Sequence, residues 1–141
     1  MNADHIPDGT EPEPYNSNPP TSGQHYVQPL QPGFYDEADV ATLLAPAHVS
    51  AVHNLEHGYI IFWYNCDVIH DDECTALKTE LQDYMSSSLV SKLIAFPWTE
   101  TDVPLVLTSW GQLLEMETFS SSEAKNFINS NRLNAPEPNA P

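Results

Sequence analysis

Basic side chains are nearly missing from this chain of 141 residues: four Lys and Arg stand against 20 Asp and Glu, a formal charge of −16. Such a surface repels phosphates, so no nucleic acid and no anionic membrane is expected as a partner, and cations are the natural companions. The acids are scattered, from Asp36, Glu37 and Asp39 to Glu115 and Glu117, so a solvated surface suited to a salty habitat accounts for them as well. No apolar run approaches the about 18 residues that span a bilayer, so no transmembrane segment is expected. Met1 to His5 also lacks the charged-then-apolar layout of a signal peptide, so none is expected within these residues, and a secreted chain is expected to have had its leader removed. Cysteine is scarce too. Cys66 and Cys74 are separated by seven residues, which excludes Cys-x-x-Cys redox and paired zinc-ribbon spacing. A local disulfide is their simplest pairing and implies an oxidising compartment; two free thiols are the alternative. There is no lysine-bearing glycine loop for phosphate, and neither Ser22 nor Ser109 has a setting that marks a nucleophile.

What the chain does have is His53-Asn54-Leu55-Glu56-His57-Gly58, followed at once by the apolar run Tyr59 to Tyr64. Imidazoles at i and i+4 lie on one helical face with Cβ atoms about 5–6 Å apart, close enough to share an ion. Gly58 can then stop the turn and release the chain as a strand. Two other readings stand beside a ligand pair. His53 and His57 are ordinary half-buried histidines in one. In the other, His-x-x-Glu-His is the inverted zinc-protease motif, with Glu56 as base and Glu123 as a possible third ligand. That motif needs a helix continuing past the second histidine, which Gly58 opposes.

By length the chain forms one domain. Residues 1–46 hold eight of the 13 prolines and little periodicity, which predicts an extended, ordered coil arm packed on the core through Tyr15, Tyr26, Val27, Leu30, Phe34 and Tyr35. His5 and His25 ride on it, His25 after the turn Pro19-Pro20-Thr21-Ser22-Gly23. The core is expected over 47–133 and a polar tail over 134–141. Between Val40 and Ala51, one or two helical turns limited by Pro46 lead into the histidine corner. Residues 59–64 read as the central strand, buried on both faces. Asp71 to Leu89 is the main helix, Lys92 to Trp98 and Leu105 to Trp110 are further strands, and Ser120 to Glu123 starts a closing helix. The class is α/β in the α+β sense, a small mixed sheet in β-α-β-β-α order. The helical crossover favours a parallel pair, and the short third connection an antiparallel neighbour.

Asp4-His5-Ile6, Pro19-Pro20-Thr21-Ser22-Gly23-Gln24-His25 and Val52-His53-Asn54-Leu55-Glu56-His57-Gly58, with Trp110-Gly111 and Pro136-Glu137 later, resemble the motifs of the mostly bacterial family known as domain of unknown function 3105. The resemblance covers nearly the whole chain. It implies no activity, but its members often carry a leader or membrane anchor, which favours a secreted, periplasmic or extracellular protein. It also joins His25 to His53 and His57 in one constellation, with His5 as a fourth candidate. Glu56 is then expected to hydrogen-bond a ligating ring and fix its tautomer.

These readings converge on a small secreted protein that binds a transition metal through His25, His53, His57 and His5. Copper is favoured narrowly over zinc, because imidazole suits both and the affinity order places Cu(II) first. Met85 and Met116 read as packing residues rather than Cu(I) ligands. The alternatives are a metal-dependent hydrolase or oxidase with Glu56 as acid/base, and a structural or interaction module in which the histidines only tie the arm to the core. His48 and His70 belong to no motif and are expected on the surface.

Overall fold

A computed structural model describes all residues, 1–141. Two short strands, β1 (His5–Ile6) and β2 (His25–Tyr26), pair in parallel. After β3 (Gly33–Phe34) come a one-turn helix α1 (Glu37–Val40), helix α2 (Ala47–Glu56), strand β4 (Ile60–Tyr64) and helix α3 (Asp71–Ser87). Strands β5 (Leu93–Pro97), β6 (Leu105–Ser109) and β7 (Gln112–Met116) precede the last helix, α4 (Ser121–Asn131). The five-stranded sheet has the order β3-β5-β4-β6-β7, with β4 parallel to β5 and antiparallel to β6. No helix is long and apolar enough to cross a membrane.

The period-two geometry of a strand explains why β4 is apolar throughout. Ile60, Phe62 and Tyr64 face one side, where they meet Leu77 and Leu81 of α3 and Ala124 and Ile128 of α4. Ile61 and Trp63 face the other, against Ala47, Ala51 and Leu55 of α2. Strands β5 and β6 alternate in step: Leu93, Ala95, Leu105 and Leu107 join the first cluster, while Ile94, Phe96 and Val106 join the second. The sheet is therefore covered by helix on both faces.

The α+β class with a mixed sheet is as the sequence predicts, and 59–64 is the central strand. The element order is longer than predicted, because within the arm β1 pairs with β2 and β3 joins the sheet beside β5. Residues 112–116 form the edge strand β7, invisible to a periodicity argument because its side chains are mostly exposed and carry little alternation. The helix expected to be cut short by Pro46 instead begins after it and runs to Glu56, since a proline of fixed φ is tolerated ahead of the first turn and harmful only inside it. The antiparallel β6 also lies beside β4 rather than beside β5, so the connection crosses the end of β4.

Gly58 ends α2 with φ of +88°, and a Cβ there would lie 2.6 Å from Leu133 Cα. Only glycine satisfies both demands. The Gly58 carbonyl accepts from Leu133 N–H at 3.0 Å, and the Glu56 carbonyl accepts from Glu137 N–H at 3.0 Å. These bonds bring the tail back across the end of α2.

Cys66 and Cys74 form a disulfide between the turn after β4 and the start of α3. The small closed loop contributes about 2–3 kcal/mol by restricting the unfolded chain. Thiol titration of denatured, unreduced protein should detect none; two reactive thiols would remove the bond.

Candidate metal centre

Helix α2 is buried on nearly all sides because two layers grip it. One stripe, Ala47, Ala51 and Leu55, lies on the sheet; Val49, on the opposite side, packs on Ile6 of β1 and Tyr26 of β2. Asn54 fixes the grip: its side-chain carbonyl accepts from Leu30 N–H at 2.8 Å and its amide donates to Leu30 O at 2.8 Å. The histidine-bearing stripe thus faces the small two-stranded sheet instead of solvent.

Strand register supplies the other rings. His5 and His25 are direct partners in the β1–β2 pair, so their side chains emerge together. Ring centroids of His5 and His25 are 4.9 Å apart, those of His5 and His53 4.9 Å, and those of His25 and His53 4.8 Å. The candidate ligand atoms of His5, His25, His53 and Glu56 all lie within 4.8 Å of one another. All four side chains are buried except His5, which is 45% exposed.

The backbone determines which ring nitrogens face inward. His25 Nδ1 lies 2.9 Å from Gly23 O, and His53 Nδ1 lies 2.7 Å from Tyr26 O. His57 Nδ1 lies 2.8 Å from the main-chain oxygen of Pro141. A main-chain oxygen only accepts, so each Nδ1 carries the proton, and in a neutral ring Nε2 holds an open lone pair. Gly23 is needed for this arrangement: at φ of +139° a Cβ would sit 2.5 Å from the Tyr15 ring.

The Nε2 atoms then face one another and a carboxylate. Glu56 Oε2 is 2.9 Å from His25 Nε2 and 3.6 Å from His5 Nε2. His53 Nε2 is 3.0 Å from His57 Nε2. His57 falls in a second group, with Glu56 and Glu137, whose ligand atoms also lie within 4.8 Å of one another. Its Nε2 is 3.4 Å from Glu137 Oε2. Burial, and then the neighbouring His25, His57 and His5 rings, hold His53 below the ordinary histidine range, against the opposite pull of the Tyr26 carbonyl. A neutral His53 leaves its inward nitrogen free to bind a cation. These buried His and Glu side chains could hold a metal ion.

Glu137 was not legible as a site residue; the only signal was its place in the late Pro-Glu pair. Lys92 supports it from a distance. Its ammonium donates to His57 O at 2.8 Å, to Pro138 O at 3.0 Å and to Ala140 O, binding the tail to the end of α2. Burial and then Arg132 hold this amine below the ordinary lysine range.

The remaining candidates stand apart. His70 is exposed ahead of α3. His48 is not the surface residue expected: its ring packs between Trp98 at 4.9 Å and Tyr15 at 5.9 Å, because the chain before β2 folds over the start of α2. Burial lowers its pKa. Glu123 lies in the first turn of α4, outside both groups. Met85 and Met116 pack in the cluster beneath α3 and α4.

No curated protein and no solved structure matches the chain. A family model does match, over residues 7–141, with the description "Protein of unknown function (DUF3105)". With His25, His53, Glu56, His57 and Glu137 all inside the matched span and His5 just ahead of it, the chain belongs to that family.

Proposed function

We propose that this is a small secreted protein that binds a transition-metal ion through His5, His25, His53 and Glu56. The observation that carries the reading is the inward set of Nε2 atoms: rings whose outer nitrogens are engaged by main-chain oxygens converge with a buried carboxylate at ligand spacing. Without an ion, lone pairs at 3.0 Å between His53 and His57 repel unless a proton is trapped between them.

Glu56 serves as a ligand in this proposal rather than as an orienting partner. An orienting carboxylate touches the nitrogen remote from the ion, and here those positions are occupied by main-chain oxygens while Glu56 faces Nε2. A hydrolase or oxidase would need that carboxylate free to accept a proton. Three nitrogens and one oxygen suit Cu(II) and Zn(II), and the affinity order ranks copper first. The Cys66–Cys74 disulfide favours an oxidising, secreted location.

Elemental analysis of untagged protein, followed by calorimetric titration with copper, zinc and calcium, tests the reading. Tight copper and zinc binding with copper ahead is expected. Calcium binding with no transition-metal binding would overturn it, because a hard cation would be using the scattered carboxylates instead.

A further inference from the structure

His57 is the ligand that a single centre leaves over. Its Nε2 points away from the proton-bearing Nδ1, which is engaged by Pro141, and it is bordered by His53 Nε2 at 3.0 Å and Glu137 Oε2 at 3.4 Å. It does not join the group of His5, His25, His53 and Glu56, yet it forms a group of its own with Glu56 and Glu137. Glu56 is common to both. A carboxylate has two oxygens, and bridging carboxylates hold ion pairs about 3.5–4 Å apart.

We propose that the site is dinuclear, with Glu56 bridging a first ion on His5, His25 and His53 and a second ion on His57 and Glu137. This rests on the metal-binding reading above. The two positions differ in kind. The first has four protein ligands. The second has three, one nitrogen and two carboxylate oxygens, and Glu137 is 54% exposed, so the second ion keeps a position open to water. Three protein ligands with an open place is the arrangement in which zinc binds and exchanges a small ligand such as water, hydroxide or a carboxylate. The second ion is therefore the more weakly held and the one that meets solutes. Its supports are also distinct: Glu137 arrives on the tail through its N–H bond to Glu56 O and the Lys92 clamp on Pro138 and Ala140, whereas His5 and His25 are placed by the pairing of β1 with β2.

Zinc stoichiometry of the full chain, by elemental analysis after gel filtration, decides the matter, with Glu137→Gln as the informative variant because the exposed side chain changes while the main-chain bond remains. Two zinc ions per chain falling to one in Glu137→Gln, with an unchanged circular dichroism melt of the metal-free proteins, is the expected result. One ion in both proteins would overturn the second position and leave the first standing; two in both would show that the second ion sits elsewhere and overturn it equally. No zinc in either would overturn the metal reading together with this one. As a second measurement, two equivalents of Cu(II) should give a spin signal weaker than one equivalent through exchange across Glu56, whereas a doubled signal from independent spins would overturn the bridge.

Discussion

Replacing His53 by alanine is expected to lower copper and zinc affinity by at least about 100-fold, beyond the about 10–100-fold typical of residues that merely orient a ligand. His53 stands at the middle of the constellation, with His5, His25 and His57 rings all within 4.9 Å of its own. Its Nδ1 bond to Tyr26 O at 2.7 Å aims the lone pair before any ion arrives, so the ring needs no reorganisation to bind. Two control variants give the comparison its meaning. His70→Ala should leave affinity unchanged, since the ring is exposed ahead of α3 and belongs to neither ligand group. His48→Ala should lower stability, because it removes a ring packed on Trp98 and Tyr15, yet leave affinity within about twofold. Isothermal titration of the three variants checks this, and equal losses in all of them would sink the assignment.

Acid should release the ion steeply. Each ligating imidazole must be neutral, so protons and metal compete, and affinity falls about tenfold per pH unit for every proton taken up. With three rings involved the decline should exceed tenfold per unit across about pH 4–6, below the ordinary histidine value because the ion holds the rings deprotonated. The metal-free protein adds a contribution of the same sign. His53 and His48 have folded pKa values below the ordinary 6.5, so at acid pH the unfolded chain binds more protons than the folded one, and stability rises with pH. That contribution is complete above about pH 6.5 and is lost as pH falls through the depressed folded values. Thermal melts from pH 7.5 to 4.5, with and without copper, should therefore fall together at the acid end. A copper-induced stabilisation that survives unchanged at pH 4.5 would mean that carboxylates, not imidazoles, hold the ion.

Local pattern alone determined a good part of this protein. The apolar run 59–64, β-branched and aromatic without alternation, reads as a strand covered on both faces, as β4 is. Cys66 and Cys74 are close enough in sequence that neighbouring turns bring them together. The i, i+4 spacing placed His53 beside His57, with centroids 4.5 Å apart, because helix geometry needs nothing beyond the helix. Local pattern also had limits within its own range: β7 is an edge strand with few buried side chains, and Pro46 could be read as a stop as easily as a start.

Only the tertiary structure decided how the histidines are shared out. His5 meets His25 through the register of two strands of two residues each, too short for any periodicity to announce. His48 is covered by Trp98 and Tyr15, positions 50 and 33 residues away. Glu137 reaches His57 because main-chain bonds to Glu56 and Gly58 and three carbonyls on Lys92 fold the tail over the end of α2. Even the side of the rings that Glu56 faces follows from Gly23, Tyr26 and Pro141 supplying oxygens to the outer nitrogens. Helical and strand periods say which residues share a face, but the partner of that face is chosen by register and main-chain hydrogen bonds between distant segments.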